Sequence, residues 1–153
     1  MTARAGRRGA PRPGRAADPS GGPRPVSLVR VAWMAWAAAV CFFSTAPATW
    51  FLAAVPRDTW SFLEMAGHVL EFGVLAALLY LDLAQSRPRP WALMAAGLAA
   101  VCFGLVVELA QWPIPYRSFD ARDLAADAGG IAAALLVVSW LASERSIGRA
   151  SRR

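Results

Sequence analysis

Residues 62–83, FLEMAGHVLEFGVLAALLYLDL, decide the fold because they form an apolar run as long as a membrane-spanning helix. About 20 helical residues, rising about 1.5 Å each, cross the hydrocarbon core of a bilayer. Three more runs of similar length lie at residues 26–46, 91–111 and 121–142. We therefore expect an all-α fold, an integral membrane four-helix bundle that contacts the lipid bilayer.

The composition supports a membrane protein over a soluble one. The residues are 57% hydrophobic, whereas soluble domains are about 45–50% apolar. The excess is concentrated in the four runs. Cys41 and Cys102 lie inside them without the spacing of a metal site, so we expect both to be small buried hydrophobic residues.

The positive charge predicts the orientation of the chain. All 16 basic residues are arginines, and the net charge is +6. Seven lie in residues 1–30, two in residues 85–90 and four in residues 144–153, so nearly all lie outside or between the apolar runs. Cytoplasmic loops carry such an excess, so both termini are predicted to be cytoplasmic. This arrangement argues against nucleic acid as a partner.

The segments outside the four runs differ in composition. Residues 1–25 are rich in Arg, Pro and Gly, which predicts a disordered cytoplasmic tail. Residues 26–142 form the transmembrane domain, and residues 143–153 form a basic cytoplasmic tail. The sequence around Ala46 loosely resembles a signal-peptidase site, but the long polar segment before the first run and Pro47 argue against cleavage.

Three of the predicted helices carry a polar stripe. Side chains three or four residues apart lie on the same face of a helix. With the predicted orientation, all three stripes lie in the outer half of the membrane. Charges facing lipid cost at least about 2.5–3.5 kcal/mol each, so the stripes should face one another around a polar pocket. They consist of Glu64, His68 and Glu71; Gly104, Glu108 and Gln111; and Asp120, Asp123 and Asp127.

The chemistry of this pocket follows from its excess of carboxylates. Neighbouring carboxylates either share protons or hold a cation. A metal site would combine His68 and Glu71 with Glu108 or Asp127. The sequence leaves the presence of a metal or another cofactor open.

Some polar residues have simpler interpretations. Ser61 and Glu64 have the spacing of a capping box at the start of the second run. Asp120 is a plausible N-cap of the fourth helix. Asp82, far from the other acids, is predicted to be a surface residue. Glycines, including Gly67 and Gly129, are expected to let the helices approach closely.

A longer motif runs from the third helix into the fourth. Glu108 and Gln111 are followed by Pro115, Arg117-Ser-Phe-Asp120, Asp123, Asp127 and Gly130. This stretch resembles the signature of VanZ-like membrane proteins, E-x-x-Q and then P-x-R-S-x-D-x-x-D-x-x-x-N-x-x-G. His68-Val-Leu-Glu71-Phe72 resembles the family's earlier His motif, and Ser44 with Pro47 resembles its Ser…Pro element. Asp127 replaces the family's Asn, and Met65 replaces a frequent Lys.

The resemblance implies a bacterial four-helix membrane protein of the cell envelope. The family's founding member is associated with low-level resistance to the glycopeptide teicoplanin, so the resemblance suggests a link to resistance here. Its biochemical activity is unsettled, so the resemblance does not say whether this chain is an enzyme.

The leading functional hypothesis is a cytoplasmic-membrane protein whose outer pocket binds or modifies a lipid-linked or cell-wall-related ligand. In an enzymatic version, His68 or Glu108 is the general acid/base, and Asp123 or Asp127 orients His68 or a cation. Glu71 belongs to the same acid/base set. Ligand-binding roles are predicted for Gln111, Arg117 and Asp120, with Arg117 holding an anionic group.

Two alternatives use the same residues differently. A proton- or cation-coupled binding or transport module would use the carboxylates as exchangeable proton or cation sites. Such a module would be a homo-oligomer, since four helices are few for a transporter. A structural accessory subunit would use the polar cluster only to lock the bundle.

Overall fold

The structure, a computed structural model, describes residues 27–117 and 120–150, with side chains up to residue 144. Its four long helices are each apolar and long enough to cross a membrane, so the chain is a multi-pass membrane protein and the predicted all-α architecture is confirmed. The predicted tail at residues 1–25 lies outside the described residues. The helices are α1 (Leu28–Thr45), the short α2 (Thr49–Leu52), α3 (Trp60–Leu83), α4 (Arg89–Gln111) and α5 (Ala121–Ala150).

The helix starts agree with the sequence in one case and differ in another. The carboxylate of Asp120 accepts a hydrogen bond from the Arg122 amide at 2.8 Å, so the predicted cap of α5 is confirmed. The predicted capping box of Ser61 and Glu64 is wrong. A 3-10 turn, Arg57–Thr59, leads directly into α3, which places Ser61 inside the helix. Among the described residues, none caps the start of α3 with its side chain.

Helix α3 is at the centre of the bundle and packs most extensively against α5. Glycines make this approach possible. A Cβ atom at Gly130 would collide with the backbone of Val69, and one at Gly73 would lie 3.1 Å from the Gly130 carbonyl oxygen. The expectation for Gly67 and Gly129 is wrong, because a Cβ atom there would meet no described atom of another helix within 4 Å. These two glycines face open space instead of a neighbouring helix.

The interior of the bundle is apolar apart from a few polar side chains, and its outer surface is apolar as well. The core is built around Val40, Phe72 and Leu75. Cys41 and Cys102 are exposed free thiols on the outer surface, so the prediction that they are buried is wrong. Such a surface suits lipid, which solvates large apolar side chains. The large apolar side chains that are more than half exposed include Phe62, Leu70, Met94, Leu98, Val106, Leu136 and Trp140.

The two ends of the bundle differ in their polar residues. We call the end formed by Thr45, Trp60, Gln111 and Ala121 the site end. At the opposite end, Asp82 is buried, so its prediction as a surface acid is wrong. Its carboxylate accepts hydrogen bonds from Arg30 Nε at 3.1 Å and Trp33 Nε1 at 3.2 Å. Arg30 and Trp33 belong to the first turns of α1, which cover Asp82. Their hydrogen bonds to the carboxylate tie α1 to the end of α3.

Candidate functional site

The imidazole of His68 is the centre of the polar cluster at the site end. The His68 side chain is buried on α3 and contacts two carboxylates that lie one turn apart on α5. Its Nδ1 atom is 2.8 Å from Oδ1 of Asp127, and its Nε2 atom is 3.7 Å from Oδ2 of Asp123. The ring lies parallel to that of Phe72 on the next turn of α3. The ring is therefore held in one orientation between α3 and α5.

Helix α4 contributes Glu108, a carboxylate with no exposed surface. Its Oε2 atom accepts a weak hydrogen bond from the amide of Asp120 at 3.4 Å. Its Oε1 atom has no hydrogen-bond partner among the residues that the structure describes. One ligand atom from each of His68, Glu108 and Asp127 lies within 4.8 Å of the other two. Each of the three helices thus brings one buried side chain with a possible metal-ligand atom to the same place.

Gly104 makes room for the carboxylate of Asp127. A Cβ atom at Gly104 would lie 3.0 Å from Oδ2 of Asp127. Gly104 is one turn before Glu108 on α4, so this oxygen is directed at the face of α4 that carries Glu108. Within the described part of the chain, Oδ2 has no hydrogen-bond partner either.

A cavity of about 250 Å³ borders His68 at the site end, between α1, α2 and α3. One part of its wall is polar and the rest is apolar. The hydroxyl of Ser44 is buried in this wall. The polar lining is Ser44, Glu64, His68, Glu71 and Arg117, and the apolar lining is Phe43, Ala48, Phe51, Leu52, Leu63 and Gly67.

Arg117, in the connection from α4 to α5, brings a positive charge to this cavity. Its NH1 atom is 3.6 Å from Oε1 of Glu64. Its NH2 atom donates to the carbonyl oxygens of Phe43 and Ala46, at 3.3 and 3.1 Å, at the end of α1. The guanidinium is thus fixed against α1, and the ligand-binding role of Arg117 stays a prediction.

The remaining site residues predicted from the sequence lie at the edge of this cluster. Glu71 lines the cavity but is not part of the group formed by His68, Glu108 and Asp127. Gln111 is buried, and its side chain donates to the carbonyl oxygen of Ser44 at 2.6 Å, which ties α4 to α1. The acid/base and ligand-binding roles of these residues stay predictions.

A family model described as VanZ/LLP1 matches residues 25–142. The chain belongs to the VanZ/LLP1 family. The resemblance seen in the sequence is confirmed, and the match extends over all four spans. No curated protein and no solved structure matches the chain.

Spacing does not identify Ser44 as a site residue of this VanZ/LLP1 protein, and the family resemblance alone marks it. Glu64 lies in the polar stripe predicted from spacing, but its pairing with Arg117 is not predicted. A polar residue near the end of an apolar run, just before Pro47, was the available signal for Ser44. The partner of Glu64, Arg117, is too distant in sequence for any local pattern to indicate the pair.

At position 127 the chain has Asp, where the VanZ-like signature that its sequence resembles has Asn. An Asn there would present one amide donor and one acceptor. Asp127 presents two acceptor oxygens, of which one contacts His68 and the other faces α4. The substitution therefore adds an acceptor at the meeting point of α3, α4 and α5.

Proposed function

We propose that this VanZ/LLP1 protein binds a lipid-linked, cell-wall-related ligand at the outer face of the bacterial cytoplasmic membrane. The observation that carries the proposal is the cavity at the site end, which combines the Arg117 guanidinium with aromatic and aliphatic walls. Most arginines lie in the terminal segments and in the 85–90 loop, and segments with such an excess are usually cytoplasmic. This distribution supports a site end that faces outward.

The Arg117 side of the cavity suits an amphiphile with an anionic headgroup, although Glu64 partly balances the charge of Arg117 and Glu71 also lines the cavity. Arg117 supports binding of phosphate or carboxylate because a guanidinium presents several donors to such groups. Phe43, Phe51 and Leu63 supply an apolar wall beside that charge. Pockets for drug-sized ligands measure about 300–1,000 Å³, so a cavity of about 250 Å³ suits a headgroup and the first part of a chain. The rest of a long lipid would extend into the bilayer.

Gly67 offers a test that removes no charge. It lines the cavity, and a side chain there would enter open space. Gly67→Leu should therefore fill the cavity without disturbing helix packing. Gly129→Leu is the matched control, because Gly129 is exposed on α5 and has open space around it in the described structure.

The measurement is photocrosslinking of a diazirine-labelled polyprenyl phosphate to the protein in nanodiscs of neutral lipid. We expect Gly67→Leu to reduce crosslinking, and Arg117→Met to weaken binding by at least about 10-fold, the effect of losing one charge-assisted hydrogen bond. Gly129→Leu should crosslink like the wild type. Equal crosslinking of the two leucine variants would show that this cavity does not bind the lipid.

A growth assay tests the link to glycopeptide resistance separately. A deletion strain complemented with wild type or Arg117→Ala is grown with teicoplanin, and membrane levels are checked by immunoblot. We expect reduced growth for an Arg117→Ala protein that accumulates normally. Full complementation by that variant would argue against a resistance role for the cavity.

A further inference from the structure

We propose that His68, Glu108 and Asp127 together hold a divalent metal ion, Zn²⁺ or Mn²⁺. The three residues come from α3, α4 and α5, and one ligand atom of each lies within 4.8 Å of the others. All three side chains are buried. The inference does not rest on the proposed lipid ligand, because it concerns atoms that the protein itself brings together.

Two buried carboxylate oxygen atoms have no hydrogen-bond partner among the residues that the structure describes. Glu108 is fully buried and Asp127 is 2% exposed. Neither Glu108 Oε1 nor Asp127 Oδ2 accepts a hydrogen bond from any described residue. A buried carboxylate oxygen without a partner costs about 1–3 kcal/mol or more, and a cation between the two carboxylates would satisfy both atoms.

The separations suit coordination. His68 Nδ1 and Asp127 Oδ1 are 2.8 Å apart. Two atoms bound to one metal at about 2.1 Å are themselves about 3.0–3.4 Å apart. The ion can therefore replace the proton between His68 and Asp127 with a displacement of a few tenths of an ångström, and a carboxylate of Asp127 that binds through both oxygens also satisfies Oδ2. That proton is released to solvent when the metal binds.

The donor set selects the class of metal. One imidazole nitrogen with two carboxylate oxygens favours Zn²⁺ or Mn²⁺ over Mg²⁺, which prefers oxygen ligands alone. Cys41 and Cys102 are exposed on the outer surface, so neither supplies a soft thiolate to the site. Three protein ligands leave a coordination position for water or for an oxygen of a ligand in the adjoining cavity.

The first test uses the wild-type protein in detergent after removal of metals with a chelator. Equilibrium dialysis against Zn²⁺ or Mn²⁺, followed by elemental analysis, should show about one equivalent per chain. Co²⁺ should give a visible ligand-field absorption band on binding. Failure of all three ions to bind at micromolar concentrations would overturn the proposal whether or not the protein binds lipid.

The second test compares acid-to-amide variants of the same chemistry. Glu108→Gln and Asp127→Asn each remove one ligand and should weaken metal binding by at least about 100-fold, the upper range for losing an indirect partner. Asp58→Asn, at an exposed position, should bind like the wild type. Gel filtration identifies variants that fail to fold, and the wild-type measurement then decides. Folded variants that bind metal as tightly as Asp58→Asn would refute the site.

Discussion

Replacing Gly130 with alanine should separate α3 from α5 and disrupt the polar cluster. A Cβ atom at Gly130 would collide with the carbonyl oxygen of Val69 and lie 2.8 and 2.9 Å from its carbonyl carbon and Cα. Backbone atoms cannot rotate away, so α5 must shift by about 1 Å to restore ordinary contact distances. Val69 follows His68, and Asp127 is one turn before Gly130. The same shift would stretch the 2.8 Å contact between His68 and Asp127 beyond about 3.2 Å, the usual hydrogen-bond limit.

The expected change in the free energy of unfolding for Gly130→Ala follows from three contributions. Overpacking costs about 1–3 kcal/mol, and loss of the buried hydrogen bond costs about 1–3 kcal/mol. Alanine offsets about 1 kcal/mol through its better helix propensity. We expect Gly130→Ala to lower the free energy of unfolding by about 3 kcal/mol. Gly129→Ala is the control, because its added methyl meets no described atom of another helix within 4 Å.

Unfolding with sodium dodecyl sulfate in mixed micelles, followed by tryptophan fluorescence and circular dichroism, measures both variants. Gly129→Ala should unfold at the same or a slightly higher fraction of dodecyl sulfate than the wild type. Gly130→Ala should unfold at a lower one. If the two alanine variants are equally stable, the contact between α3 and α5 is not as close as the structure shows, and the reasoning fails.

Three further changes test contacts elsewhere in the bundle, each by the same unfolding assay. Asp82→Asn should cost about 1–2 kcal/mol, since it weakens bonds to Arg30, a half-exposed side chain; no loss would show that α1 does not depend on this carboxylate. Trp36→Phe removes a 2.9 Å bond to the Glu71 carbonyl oxygen and should cost about 1 kcal/mol; an unchanged curve would contradict that bond. Asp120→Ala should cost about 1 kcal/mol through loss of the α5 cap, and Asp120→Ser should restore most of it; equal stability of these two would argue against capping.

The sequence alone predicted the four spans and the polar stripes on three of them. Hydrophobic length depends only on local composition, and the spacing of the charged residues is a property of one helix at a time. The motif around Arg117 and Asp123 also lies in a continuous stretch, which made the family recognisable. These features needed no knowledge of how the helices pack.

Local patterns failed where a helix boundary or a distant partner decided the outcome. Ser61 has the correct spacing for a cap, but the 3-10 turn before it moved the start of α3 to Trp60. Asp82 lies far from the other acids in the sequence, which predicted a surface residue, but the first turns of α1 cover it. Neither the turn nor the covering helix leaves a signal near the residue concerned.

The division of the polar residues into a cavity and a buried cluster was decided by tertiary structure alone. Glu71 and His68 share a stripe on α3, yet Glu71 lines the cavity while His68 also contacts Asp127. The rotation of each helix about its axis, set by the close approach at Gly130 and the space at Gly104, determines which carboxylates meet. Sequence spacing defines which face of a helix is polar, whereas packing between helices determines what that face contacts.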